Sequence, residues 1–274
     1  SFPEPLTGTK IRQRSETFAD HHSQARMFYR SQTAVEQRHI VNAYTFELSK
    51  VASKAVRTRQ LGHLELIDKQ LAAQVADNLG MAGQADAITP ARQPIDMEPS
   101  PALSILKKAP QTLEGRKVGI LIGAGCDAAL IDKLRAAITK AGAKVELVAP
   151  KVGETEAANG TRLAADHMVA GGPSVIFDAC AIVVGDAGIA ALVANPAAVQ
   201  WVADAFNHCK VIGTVGAAQP LLDKAAVVKD KGVIDLAGKG ADAFVTTAKQ
   251  GRIWSREAAQ TPPPAKKPAK KPSK

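Results

Sequence analysis

Three cysteines, Cys126, Cys180 and Cys209, are the residues in this sequence best suited to covalent chemistry. Their odd number and irregular spacing give neither a disulfide framework nor a zinc pattern, and a reducing cytoplasm is the expected setting. Cys126 has the placement that best suits a nucleophile. It lies in the loop after an apolar run, Lys117-Val-Gly-Ile-Leu-Ile122, where a helix is predicted to start. A helix N-terminus lowers a thiol pKa, but the adjacent Asp127 carboxylate opposes that effect. Asp127 itself reads as the N-cap of the helix, and neither a base nor an orienting partner accompanies Cys126. Cys180 opens an apolar strand and is expected to be buried and inert. Cys209 precedes a strand, at the end opposite the loop that follows it.

The same loop, Gly123-Ala-Gly125-Cys-Asp-Ala128, fits the loose G-x-G-x-x-A spacing in which free N–H groups at a helix start hold a phosphate. Asp127 would repel that phosphate. The second strand ends Val148-Ala-Pro-Lys151, with no acid for a ribose. A tight turn between strand and helix is the better reading.

These residues need a scaffold, and the sequence outlines one in four parts. Residues 1–81 are predicted to be helical after an irregular start. Thr33-Ala-Val-Glu36 is a capping box, followed by Ile40, Tyr44, Leu48 and Val51 on one helical face. A second amphipathic run carries Leu64, Ile67, Leu71, Val75 and Leu79 and ends at Gly80. Residues 82–113 hold Pro90, Pro94, Pro99, Pro101 and Pro110 and lose apolar periodicity, which predicts a linker or an arm lying on another surface. Residues 114–257 alternate strand and helix. The strands are 117–122, 144–148, 179–184 and 211–215. One helix starts at Asp127 with Leu130, Leu134 and Ile138 inward and stops at Gly142. Another, around Ala197 to His208, carries Val199, Val202 and Phe206. This alternation predicts a parallel sheet covered on both faces. Residues 258–274 form a Lys/Pro-rich tail expected to be disordered.

The net charge of +9 is concentrated in that tail, where Lys266, Lys267, Lys270, Lys271 and Lys274 face no acid. The rest of the chain carries only about +4. Lysines of this kind would neutralise nucleic-acid phosphates non-specifically, since no aromatic residue stands among them to stack on bases. No apolar run approaches the ~20 residues needed to cross a bilayer, so no membrane partner is expected. The start at Ser1-Phe2-Pro3, without an initiator methionine, predicts a fragment or a processed product.

Two stretches resemble a known family. Asp20-His-His-Ser-Gln-Ala-Arg-Met-Phe-Tyr29 and Glu36-Gln-Arg-His-Ile-Val-Asn-Ala-Tyr-Thr-Phe-Glu-Leu48 resemble the helical segment after the haem barrel of catalases. Asp20, Gln24, Ala25, Phe28, Glu36, Asn42 and Leu48 occupy the places of that pattern, and Asp68 to Leu79 resembles the helix that follows. Residues 115–257 resemble the extra domain of large-subunit catalases of the hydroperoxidase II type. That domain is flavodoxin-like and similar to the class I glutamine-amidotransferase-like superfamily. The implied fold class is therefore α/β, an N-terminal helical segment plus a flavodoxin-like doubly wound parallel sheet.

The resemblance implies a homotetrameric enzyme that disproportionates hydrogen peroxide to water and oxygen. This chain would pack against its haem barrel and against sister subunits. The family's distal His and Asn and its proximal Tyr all lie upstream of the matched segment. Tyr29 and Tyr44 are not the haem ligand, and the expected cofactor and metal content of this chain is none. His21, His22 and His39 are expected to be solvated or hydrogen-bonded surface groups. The nucleophilic cysteine of the amidotransferase-like superfamily aligns with Gly216, which has no side chain to attack with, and its acid aligns with Asp127. Two alternatives remain: a free-standing ligand-binding or chaperone-like domain, and non-specific nucleic-acid binding through the tail.

Overall fold

Thr33 and Glu36 close the predicted capping box: the Thr33 hydroxyl accepts from Glu36 N–H at 3.3 Å, and the Glu36 carboxylate accepts from Thr33 N–H at 2.8 Å. In the computed structural model, which describes residues 3–260, the chain forms two units that divide at Ala109 and Pro110. The first contains α1 (Ser23–Ser31), α2 (Ala34–Ser49), α3 (Lys54–Ile67) and α4 (Lys69–Asn78). Its core gathers Tyr29, Val41, Leu48, Leu61, Leu64, Leu71 and Val75.

The apolar stripe from Leu64 to Leu79 is not one helix. Asp68 takes an extended conformation between α3 and α4, and its carboxylate caps α4 by accepting from Gln70 and Leu71 N–H at 2.9 and 3.1 Å. Gly80 then terminates α4 with φ +66°, the left-handed conformation that glycine adopts at no steric cost.

The proline-rich stretch that follows lies against α1, α2 and α3. Glu36 accepts from Ser104 Oγ at 2.7 Å and from Leu106 N–H at 3.1 Å, beyond its role in the capping box. Burial opposes its charge, but the hydrogen bonds from Thr33, Ser104 and Leu106 outweigh that and hold its pKa at about 2. Lys107 Nζ donates to Ser31 O at 2.8 Å, and Ser100 N–H donates to Ser31 Oγ at 2.9 Å. These bonds satisfy an arm that has only a 3-10 turn at Pro101–Leu103 as regular structure.

In the second unit, β1 (Lys117–Ile122) is followed by α5 (Ala128–Lys140) and β2 (Lys144–Ala149). A small antiparallel pair, β3 (Glu154–Glu156) and β4 (Arg162–Ala164), precedes β5 (His167–Met168) and β6 (Ala179–Val183). Then come α6 (Asp186–Ala194), α7 (Pro196–Asn207), β7 (Ile212–Thr214), α8 (Gln219–Lys224), β8 (Val233–Asp235), α9 (Gly240–Lys249) and α10 (Ser255–Gln260). The main sheet has the order β5-β2-β1-β6-β7-β8, with every pairing parallel. Its five longer-range strands follow the flavodoxin-like 2-1-3-4-5 pattern, with β5 added at one edge.

Alternation along β1 divides the core. Val118, Ile120 and Ile122 face α5 and α9, against Ile131, Leu134, Ile138 and Phe244. Leu121 shares the other face with Cys180 and Ile182, against Leu192, Trp201, Val202 and Leu221 of α6, α7 and α8. Full burial of each such side chain stabilises by about 1.5–3 kcal/mol. The inward stripe of α5 is Ile131, Leu134 and Ile138. Leu130, expected inward, is only half-buried because a 3.6-residue turn puts 131 rather than 130 in line with 134 and 138. Gly119 sits where a Cβ would lie 2.5 Å from the Phe177 ring, so the strand gives up a side chain to let that aromatic pack.

At the C-terminal end, Arg256 is 4% exposed and holds α10 in place. It grips the Asp230 carboxylate at 2.7 and 2.9 Å and donates to Lys210 O at 2.6 Å. Helix α10 runs to Gln260, so residues 258–260, expected as the start of a disordered tail, are helical. The tail lysines Lys266, Lys267, Lys270, Lys271 and Lys274 lie outside the described residues. Among the described residues, no single helix is long and apolar enough to cross a membrane.

Candidate functional site

Chain order in the sheet runs outward from β1 through β2 to β5, then restarts at β6 on the opposite side of β1. Open α/β sheets bind ligands at the carboxyl ends of the strands flanking such a reversal. A cleft of about 240 Å³ lies there, lined by Gly123 and Ala124 after β1, Pro150 and Lys151 after β2, and Ala187 and Gly188 in α6. Glu154, Thr155 and Glu156 of β3 close its rim. The cleft offers shape, one ammonium and two carboxylates, but its lining contains no cysteine and no histidine.

Gly123 and Ala124 of the loop after β1 line this cleft, whereas Cys126 and Asp127 stand beside it. Cys126 is 0% exposed and makes a parallel bridge to Ala157. Burial pushes its thiol pKa up, and Asp127 raises it further. The helix dipole therefore does not activate it. Asp127 caps α5, accepting from Leu130 N–H at 3.1 Å. Gly125 N–H donates to Glu156 O at 2.9 Å, so this amide of the glycine-rich turn is spent within the protein.

Gly216 opens a 3-10 turn, Gly216–Ala218, directly after β7. Its φ lies outside the left-handed region, and a Cβ built there would meet nothing within 4 Å. The position is open but unstrained, unlike the sharp turn that exposes a nucleophile. Cys180 is fully buried and pushed up to about 12 by burial. Cys209 has φ +59° and is also buried, which raises its thiol pKa.

Two charged groups escaped the sequence reading. Glu146 of β2 is 6% exposed and is held by Lys117 Nζ at 2.9 Å, Lys144 Nζ at 3.0 Å and His167 Nε2 at 2.8 Å. Burial opposes its charge, but the hydrogen bonds from Lys117, Lys144 and His167 hold its pKa at about 2. The signal was a single acid in an otherwise apolar strand, Val145-Glu146-Leu147, with its partners 29, 2 and 21 residues away in sequence. Lys210 is 0% exposed, its ammonium donating to Ser174 O, and burial pushes its pKa down. Among the described residues, no group of three or more His, Cys, Asp or Glu is arranged to hold a metal ion.

The helical unit carries a different kind of site. A groove of about 300 Å³ opens between α1, α2 and the α3–α4 break, lined by Phe28, Tyr29, Ile40, Tyr44, Ile67 and Leu71 among others. Its walls are almost wholly apolar, and Phe28 remains 46% exposed. Tyr29 is buried, and that burial, with Asp68 nearby, raises its phenol pKa. His22, expected at the surface, is 5% exposed and packs on His63.

Residues 15–79 match the family model described as catalase-related immune-responsive. Residues 114–258 match the C-terminal domain found in long catalases. Catalase C of Rhizobium meliloti is 48% identical over 93% of this chain. Catalase HPII of Pseudomonas aeruginosa is 39% identical over 97%, and Catalase-B of Dictyostelium discoideum 32% identical over 96%. The chain spans only 37% of the length of the first two and 39% of the third.

Proposed function

The chain belongs to the family of long catalases, of which it is a C-terminal part, and from that membership we propose that it serves assembly and stability in a haem enzyme that disproportionates hydrogen peroxide. The observation that carries this reading is the apolar groove of the helical unit. Its lining includes Ala25 and Phe28, which belong to the catalase-like pattern, and an apolar surface of this kind calls for a covering partner. The partner proposed is the haem-bearing remainder of the enzyme, with sister subunits completing a homotetramer in the cytoplasm. Haem and the peroxide chemistry belong to that remainder. The α/β unit supplies a rigid, doubly covered sheet whose candidate nucleophile positions hold a glycine at 216 and a buried thiol at 126.

The test compares the chain alone with the chain co-expressed with the haem-bearing remainder. Alone, it should give no Soret band and no oxygen from peroxide. With the remainder, it should co-purify at a fixed ratio, with haem and turnover. Phe28→Asp should reduce that co-purification. Oxygen release by the chain alone, or co-purification indifferent to Phe28→Asp, would overturn the reading.

A further inference from the structure

His22 is the N-cap of α1, and His63 lies on α3. Their rings stack at an interplanar angle of 18°, and His22 Nε2 lies 3.2 Å from His63 Nδ1. One proton between the two nitrogens makes a hydrogen bond. The buried Nδ1 of His22 has no hydrogen-bond partner. The less costly tautomer therefore has His22 Nε2–H donating to His63 Nδ1, since an orphan lone pair costs less than an orphan N–H. Uptake of one proton by the pair charges one ring and still leaves one proton shared between Nε2 and Nδ1; uptake of a second removes the acceptor and sets two imidazolium cations face to face, with an N–H on His22 that nothing receives.

The surroundings offset that charge only in part, through the Asp20 carboxylate. Asp20 accepts from the N–H groups of His22 and Ser23 at 3.4 and 3.0 Å and has Arg92 nearby. His21 stands edge-on at 6.2 Å, and Arg26 adds a cation one turn along α1. Asp96 is engaged by Arg26 and Arg30 at 2.6 and 2.8 Å. Burial, followed by the neighbouring His63, makes the charged form of His22 harder to reach.

Residues next to the pair seat the arm. Ser23, next to His22, accepts from Ile95 N–H at 2.8 Å. Gly62, next to His63, lies so close under Asp86 and Ile88 that a Cβ would come within 2.3 Å of Asp86 O. We propose that His22 and His63 form a proton-operated latch that fastens the start of α1 and arm residues 86–96 to α3 while one ring still offers an acceptor and releases them when both rings are charged.

Hydrogen–deuterium exchange on the whole chain tests this, read as protection factors at about pH 7.5 and about pH 5.5, either side of the histidine titration. Segments 20–31 and 86–96 should lose about tenfold in protection for each pKa unit by which the pair resists its second proton, while β1 and β6 stay constant. His63→Phe keeps a ring on α3 but removes the second charge, and the loss should disappear. An equal loss in that variant, or none in the unmodified chain, overturns the proposal. If His63→Phe does not fold, the imidazole NMR titration of the unmodified chain decides. Two coupled steps support the latch, and two independent ordinary titrations overturn it.

Discussion

At position 216 the backbone is relaxed and the space above it empty, whereas at position 119 a Phe177 ring fills the place of the missing side chain. The two glycines should therefore answer substitution differently. Gly216→Cys is expected to change unfolding free energy by no more than about 0.5 kcal/mol, and to bring no esterase or peptidase activity because no base faces it. Gly119→Ala should cost about 1–3 kcal/mol through overpacking. Urea melts of both variants check this, and equal effects would show that neither contact is as drawn. Glu146 makes a prediction in pH. Its folded pKa of about 2 lies below the ordinary value of 4.5, so the unfolded chain binds the proton more tightly. The stabilisation is present in full above about pH 4.5 and is lost as pH falls through about 2. Glu146→Gln should flatten the acid limb of stability of the α/β unit and leave the contribution of Glu36 in the helical unit intact. An unchanged acid limb would mean that Lys117, Lys144 and His167 do not hold the carboxylate in solution.

At the scale of elements, the cap at Asp68 separates α3 from α4, and Asp68→Ala should destabilise the helical unit by about 1–2 kcal/mol. Asp68→Asn keeps a side-chain acceptor and should recover most of that loss. If it recovers nothing, the pairing with Arg30 at 3.8 Å matters more than the cap. This break was hidden in the sequence because Leu64, Ile67, Leu71 and Val75 keep helical spacing straight through it. The capping box at Thr33, the cap at Asp127 and the strands β1, β2, β6 and β7 were legible, since each rests on residues within one turn or one apolar run. The strands β3, β4, β5 and β8 were not, because two or three residues without a longer apolar run around them display no pattern. The cleft at the ends of β1 and β2 was half legible. Its glycine-rich turn and Lys151 show in the sequence at the ends of β1 and β2, whereas Glu154 and Glu156 join it only through the β3–β4 pair. The contacts of Glu146 with Lys117 and His167 and the His22–His63 pair join residues 21 to 41 positions apart, and only the tertiary fold brings them together.

Across the whole molecule, stability resides in separate cores. Leu61, Leu64, Leu71 and Val75 pack with one another in the helical unit, and the two faces of the sheet carry clusters of their own. Two such cores need not melt together. The chain contains two tryptophans, Trp201 and Trp254, and both belong to the α/β unit. Tryptophan fluorescence therefore follows that unit alone, while far-ultraviolet circular dichroism follows the helices of both. Leu64 is 0% exposed, and Leu64→Ala should cost about 2–5 kcal/mol by leaving a cavity. The dichroism transition should move to lower denaturant and broaden or split, with the fluorescence midpoint unmoved. Phe244→Ala, on α9 in the core of the α/β unit, should shift the fluorescence midpoint by a comparable free energy, together with the part of the dichroism change that belongs to that unit. A Leu64→Ala variant whose two signals fall together would mean that the units unfold as one cooperative body, and the helical unit could then not rearrange on a partner without opening the sheet.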